Sequence, residues 1–506
     1  MSGKGGMKAE EQRAEYAVGS ARLEAVIHQD NAAGICDNWP VLAIEEVADV
    51  NPRVDKAAIP NELPVSFVSM PKVGAGGGSI HVEETRPASE VKKGFTAFLE
   101  GDVLFAKITP CMENGKMAVV PKLVNGYGFG STEFHVLRPK PGMDAKYLYY
   151  YVSSQAFRGE AERYMTGAVG QKRVSTTYLK QSTIPVAPPD QQKRIVAEIE
   201  KQFSRLDEAI ANLKRVKANL KRYKAAVLKT AVEGRLVETE AELARREGRS
   251  YETGTQLLQR ILETRRSQWK GKGKYREPAA PDTTDLPELP EGWVWASIEQ
   301  LTWLVTSGSR GWGDYYSETG VLFIRAQDIK TDLLNIRGAA RVNIPADAEG
   351  SRSSVSSQDI LVTITGANVT KSALVPPLEE VAFVSQHVAL LKLNLPEIAS
   401  FVFSWIVSPS NGRKILESWA YGAGKPGLSL EQIRSLPVAL PPLPEQRNIN
   451  AEVDRHLSLA DEAVAQVNAN LKRAERLRQS ILSRAYVGGF TASNEVKSSH
   501  EEILDV

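Results

Sequence analysis

One stretch of this chain is used twice, and it limits what the rest can fold into. Between Asp190 and Gly234, apolar residues recur every seven positions at Ile199, Leu206, Leu213, Leu220 and Val227, and Phe203 and Ile210 open a second set offset by four. Two sets at that spacing make one apolar stripe along a helix, the pattern of a coiled-coil seam. No Pro or Gly interrupts the run before Gly234, which stands where a helix C-terminal glycine belongs. At about 1.5 Å per residue such a helix is roughly 65 Å long. The stretch returns 254 positions later, from Glu445 to Gly488: Gln192, Ile195, Asp207, Leu228 and Gly234 recur as Gln446, Ile449, Asp461, Leu482 and Gly488. The second seam runs through Val453, Leu457, Val464, Val467, Leu471 and Ile481. The string Ala-Asn-Leu-Lys-Arg occurs at Ala211, Ala218 and Ala469, so the middle turns admit neighbouring registers.

Charge and side-chain size set how two such helices meet. Each is acidic near its start (Asp207, Glu208; Asp461, Glu462) and basic near its end (Lys221, Arg222, Lys224; Arg473, Arg476, Arg478). Antiparallel pairing sets acidic against basic halves and opposes the helix dipoles, whereas parallel pairing aligns like charges. Ala460 and Ala474 also stand where the first helix has Leu206 and Leu220, so small residues face large ones. The alternative is two separate surface helices with solvated charges.

Around these helices the chain divides in order. Residues 1–37 read as an N-terminal helical extension (helix Lys8–Ile27), because the repeat begins only at Trp39, which recurs as Trp293. Residues 38–189 hold short β-rich runs (Pro64–Met70, Asp102–Thr109, Lys116–Val120, Glu133–Arg138) broken by Gly/Pro turns, then one helical run, Ala145–Met165. After the first long helix (190–234) comes a polar connector, 235–291, with one helix over Gln256–Trp269. A second globular unit (292–441), the second long helix (442–488) and a disordered tail (489–506) follow. The expected fold class is α+β: two α/β-type units separated by two long helices in an antiparallel coiled coil, with a pseudo-twofold internal repeat.

Composition excludes more than it suggests. The 506 residues hold more than two domains' worth of core, and the net charge of +2 makes any nucleic-acid contact a matter of local patches. There is neither a signal sequence nor a membrane-spanning run, and two cysteines cannot frame a disulfide scaffold, so a cytoplasmic protein is expected. The six histidines lack metal-ligand spacing. Gly422-Ala-Gly-Lys425 imitates a phosphate loop, but Pro426 stands where a hydroxyl must hold magnesium. No catalytic or metal residue is assigned.

The openings Pro188–Gln192 and Pro441–Gln446 form one duplicated pair. Gly101-Asp-Val-Leu-Phe-Ala-Lys-Ile108, Ser131–Leu137 and Thr166–Lys172 follow in order in the first unit, and Ser309–Trp312, Phe323–Ile329 and Ser385–Val388 in the second. With the duplicated helices, they make the chain resemble the specificity subunit of type I restriction–modification systems over nearly its whole length. The resemblance implies two target recognition domains, each reading one half of a bipartite, asymmetric site in double-stranded DNA. It implies that the helices act as a ruler and dock two modification subunits, with restriction subunits joining. S-adenosylmethionine, ATP and Mg would belong to those partners, leaving this chain non-catalytic and without a cofactor. The N-terminal extension and the long connector depart from the family's plan.

Phosphate contact wants Lys, Arg or free N–H groups, and base reading wants Arg, Asn or Gln. On that basis the DNA-binding candidates are Lys107, Asn114, Lys116, Gln171, Lys172 and Arg173 in the first unit. Those in the second are Arg310, Trp312, Tyr315, Arg325, Gln327, Asn368, Lys371 and Lys425. The competing reading is a solvated charge or, for Trp312, Tyr315 and Arg325, a packed position. His135 and His387 lie in strand-like runs and read as core. Two other function classes stay open: a coiled-coil scaffold joining two domains that do not bind DNA, and a stand-alone modification enzyme, against which the missing methyltransferase motif argues.

Overall fold

The computed structural model describes residues 39–168, 170–269, 273–308, 311–330, 332–344, 351–422 and 426–487. The N-terminal extension, the C-terminal tail, Arg310 and Lys425 lie outside them. The chain divides into two units, 1–213 with 469–506, and 214–468, each holding a globular body and stretches of both long helices.

In the first unit, β1 (Val41–Ala43) pairs antiparallel with β10 (Thr183–Pro185). The strands between them are β2 (Ala48–Val50), β3 (Pro64–Val68), β4 (Thr85–Pro87), β5 (Thr96–Leu99), β6 (Val103–Ala106), β7 (Met117–Val119), β8 (Tyr127–Gly130) and β9 (Phe134–Pro139). They form two four-stranded sheets, β2-β9-β6-β7 and β4-β3-β8-β5. The apolar run of β6 is continuous because both of its faces are covered. Val103 and Phe105 pack with Tyr147, Leu148 and Phe157 of α1 (Ala145–Ser153) and α2 (Gln155–Arg163). Leu104 and Ala106 pack on Val68 and Phe98 of the other sheet. The single helix expected over Ala145–Met165 is two, because Ser154 adopts an extended backbone (ψ 149°) and its hydroxyl caps α2.

The second unit repeats this topology with little shared sequence. Its outer pair is β11 (Val294–Ser297) with β23 (Pro437–Leu440). One sheet joins β12 (Thr302–Ser307), β22 (Val388–Leu393), β19 (Ile360–Thr363) and β20 (Ser372–Leu374). The other joins β13 (Tyr316–Ser317), β17 (Ala340–Val342), β14 (Val321–Ile324), β21 (Ala382–Val384) and β18 (Ser354–Val355), one strand more than its counterpart. A small hairpin, β15 (Ile329–Lys330) with β16 (Leu333–Leu334), is added. In both bodies the second sheet has one parallel pair, β3–β8 and β14–β21.

The long helices are α3 (Pro189–Val232) and α6 (Leu443–Tyr486), each 44 residues. Gly234 takes φ +68° just past α3, the left-handed cap that the glycine allows. The Pro-Pro…Gln openings have a physical role. Gln192, fully buried, donates to the Ala187 and Gly142 carbonyls (2.7 and 3.0 Å) and accepts from the Asp144 N–H (2.8 Å), fixing the entry of α3. Gln446 likewise donates to the Pro441 carbonyl (2.9 Å).

Within each unit the two helices run antiparallel. In the first, Ile195, Val196 and Ile199 pack with Ile481, Leu482 and Ala485, Asp207 pairs with Arg478, and that guanidinium lies 4.4 Å from the Phe203 ring. In the second, Lys217 meets Asn468 (2.7 Å) and Lys224 pairs with Asp461. Of the seam residues, Ile199, Leu206, Val227, Val453, Val467 and Ile481 are buried, and Phe203, Ile210, Leu213, Leu220, Leu457, Val464 and Leu471 are half-buried. Ala460 and Ala474 are buried too.

The connector departs from its expected form. It carries two helices, α4 (Glu240–Glu247) and α5 (Gly254–Ser267), where the sequence suggested one. It is not merely polar: Leu257, Leu258 and Ile261 enter the core of the second unit.

Candidate nucleic-acid interface

In the first unit the loop after β6 and the turn before α3 are sewn together. Ile108 bridges Arg173, which also bridges Thr166, and the Thr109 N–H donates to the Lys172 carbonyl (3.0 Å). Gly167 takes φ +133°, and a Cβ there would stand 2.8 Å from the Gln171 carbonyl oxygen, so glycine is what lets the turn close. This gathers Lys107, Asn114, Gln171 and Lys172 around one loop pair, with Asn114, Gln171 and Lys172 exposed.

Two candidates there have structural employment. Arg173 makes a bidentate pair with Glu133 (2.7 and 3.0 Å) and holds that carboxyl below the usual carboxylate range, so its charge is largely offset. Lys116 donates to the Met70 carbonyl (3.2 Å), and its backbone bridges Ala75, tying the Gly-rich loop to the hairpin. His135 is buried, and burial lowers its imidazole from the ordinary value; Nε2 lies 2.9 Å from the Val174 carbonyl oxygen, which can only accept, so Nε2 carries the proton.

The second unit builds the same joint from other side chains. Thr365 bridges Gly427, which bridges Tyr421, and Lys371 immediately precedes the return strand β20 as Lys116 precedes β7. The Asn368 amide donates to the Ala326 carbonyl (3.0 Å), clipping the loop to the Ala326–Asp328 turn. Arg325 is held by Asp328 (3.1 Å), and Gln327, with its amide oxygen turned inward, accepts from the same guanidinium (3.0 Å). Trp312 is buried against Phe323 and Phe383, with Tyr315 packed beside it, so the Trp312 ring is a core element rather than an exposed contact. Sequence reasoning missed Tyr421, which is 70% exposed in the place that Thr166 holds in the first unit, and Tyr164, 57% exposed two residues before Thr166 and stacked on Tyr178. The signal was available: an aromatic residue just before each glycine turn. Among the described residues no cluster of His, Cys, Asp or Glu suits a metal ion, and no helix is long and apolar enough to cross a membrane.

A family model for the type I restriction modification DNA specificity domain matches residues 37–222. The chain is 27% identical over 483 residues to the type I restriction enzyme EcoAI specificity subunit of Escherichia coli, covering 85% of this chain and 80% of that one. To the EcoEI specificity subunit, also of Escherichia coli, it is 26% identical over 498 residues, covering 87% and 80%. This chain belongs to the type I restriction–modification specificity subunits. Solved structures agree on the fold. A chain from a type I restriction–modification system studied for complex assembly and conformational transition aligns with TM-score 0.64 at 17% identity, covering 90% of this chain and 98% of that one. The HsdS subunit from Thermoanaerobacter tengcongensis aligns with TM-score 0.51 at 18% identity, covering 89% and 97%. As a specificity subunit, the chain recognises a DNA target within the restriction–modification complex and is itself non-catalytic.

Proposed function

We propose that the chain reads a bipartite, asymmetric sequence in double-stranded DNA, one half with each globular body, in the cytoplasm. The loop pair after β6 and β19 is the reading surface. Lys107, Lys172 and Lys371 meet phosphates; Asn114, Gln171, Gln327 and Asn368 face base edges; Tyr421 supplies an exposed aromatic surface. Arg310 and Lys425 stay DNA-contact candidates from the sequence and lie outside the described residues. The observation that carries this reading is the shared joint, Ile108–Arg173–Thr166 and Thr365–Gly427–Tyr421, dressed with different side chains in the two bodies. One frame with unlike contact residues suits two unlike half-sites. The paired helices dock two modification subunits and set the spacing between half-sites, and restriction subunits join that complex. S-adenosylmethionine, ATP and Mg act in those partners.

The test uses the chain purified with its modification subunits. Methylome sequencing should return one split, asymmetric motif; a scaffold that does not touch DNA would return none and give no salt-sensitive gel shift. Lys172→Ala should weaken binding to all sequences and lower the salt slope by about one. Inserting one heptad into each long helix adds about 10 Å and should lengthen the gap between half-sites by about three base pairs. An unchanged gap defeats the ruler.

A further inference from the structure

The repeat leaves one surface dressed in the second unit and bare, among the described residues, in the first. In the second unit α5 covers the outer strand pair. The Gly254 N–H donates to the Gly292 carbonyl (2.6 Å), and a Cβ on Gly254 would stand 2.4 Å from the Leu440 oxygen. Leu257, Leu258 and Ile261 are buried with Trp293, Ala296, Leu301, Leu440 and Leu443. The first-unit counterparts of those five, Trp39, Leu42, Val47, Val186 and Pro189, line a cavity of about 710 Å³. The counterpart contact is kept: the Trp39 indole donates to Gln191 (3.2 Å) as the Trp293 indole donates to Glu445 (2.9 Å).

We propose that this cavity is the seat of the chain's own residues Gly19–Ile27, bound as a helix in the manner of α5. Trp39 is the first described residue and lines the cavity, so the chain joins the described structure at the cavity. The stretch Gly19-Ser-Ala-Arg-Leu-Glu-Ala-Val-Ile27 shares much of the pattern of Gly254-Thr-Gln-Leu-Leu-Gln-Arg-Ile-Leu262, with Arg22 standing in the place of the buried Leu257. Each has a glycine, then a hydroxyl residue, then apolar residues four, seven and eight places after the glycine. Leu23, Val26 and Ile27 thus match Leu258, Ile261 and Leu262, and that spacing puts three apolar side chains on one helix face. Gly19, like Gly254, has no Cβ to clash where the helix must approach strand backbone. From the glycine to the last apolar residue is about 12 Å of helix, while the eleven residues between Ile27 and Trp39 reach up to about 40 Å. The connection is therefore long enough.

The experiment is photo-crosslinking of the full chain, alone and with its modification subunits, carrying Leu23→photo-leucine, a diazirine of nearly unchanged size. The expected product in both samples is an intramolecular link to peptides containing Leu42, Met143 or Val186. Links only to a second copy, to the C-terminal tail or to a modification subunit would overturn the assignment, as would no link to those peptides. Hydrogen exchange supplies the second readout. The double change Leu23→Asp, Val26→Asp should speed exchange of the amides around Leu42 and Val186 while leaving those of β19 unchanged. Identical exchange in both chains would also overturn it.

Discussion

The two globular bodies anchor the same strand pair, β6 with β9 and β19 with β22, with different chemistry. In the first, Asp102 stands at the start of β6, accepts from the Leu99 N–H (2.7 Å) and pairs with both arms of the Arg138 guanidinium (2.8 and 2.8 Å). In the second, Asp359 takes the same place, accepts from the Ser356 N–H (2.7 Å) and meets Lys392 at 2.5 Å. The arginine keeps 26% of its side chain in solvent, whereas both partners of the lysine pair are at 9%. Burial pushes the Asp359 carboxyl up despite the ammonium beside it. A planar fork can satisfy the carboxylate and still reach water; a point charge on a flexible stem cannot do both here.

That difference sets the largest expected effect. Asp359→Ala strands a buried ammonium and should destabilise the second body by about 3–5 kcal/mol. Asp102→Ala leaves a guanidinium that can turn outward, so the loss is nearer that of charged hydrogen bonds, about 1.5–3 kcal/mol. Calorimetry of the full chain, resolving the transition of each body, measures both. Equal losses would mean that exposure of the cation does not matter.

A second pair differs in kind. Gln191 and Glu445 occupy matching places under Trp39 and Trp293, one an amide and one an acid. Glu445 also accepts from the Glu240 N–H (3.0 Å), and Glu240, itself buried, adds a second carboxylate held by Arg249. Burial, chiefly, raises Glu445 to about 7. Below an unfolded value near 4.5 both states hold the proton and nothing is lost. Between there and about 7 the unfolded chain ionises first, so the stability of the second body falls as pH rises; above about 7 the loss is complete. At 1.36 kcal/mol per unit the whole change is on the order of 3 kcal/mol. Glu445→Gln should flatten the denaturation midpoint across that window. A wild-type profile already flat there would remove the distinction between the two sites.

What the sequence made legible was whatever repeats along one element. The seam, the antiparallel charge match and the small-against-large positions Ala460 and Ala474 follow from spacing, charge and size along one helix, as the strand Val103–Ala106 follows from the β-rich run Asp102–Thr109. What stayed hidden depends on partners distant in the chain. Arg173 reads as a free cation until Glu133, forty residues earlier, is folded against it. Trp312 beside a glycine is equally an exposed contact or a core plug until Phe383 closes over it. The short α4 was passed over because its partners, above all Glu445, lie far away in the chain. Ser154 broke a helix through one extended residue, which side-chain periodicity does not register.

The smallest effect tests whether the shared turn ahead of β6 and β19 is tuned or merely inherited. Gly101 and Gln358 precede the two aspartates, both left-handed at φ +81° and +68°, and their N–H groups donate to Val120 and Val375 carbonyls at 2.9 Å each. A left-handed L residue costs about 1–2 kcal/mol, while glycine loses roughly 0.5–1 kcal/mol more backbone entropy on folding than a residue with a Cβ. Gln358→Gly should therefore stabilise the second body by about 0.5–1 kcal/mol, and Gly101→Gln should cost the first body a like amount. A Cβ at Gly101 would meet no heavy atom within 4 Å, so crowding at the Cβ does not mask the backbone contribution. If Gln358→Gly destabilises instead, the glutamine side chain makes a compensating contact in the folded protein, and the two turns are no longer equivalent parts of one plan.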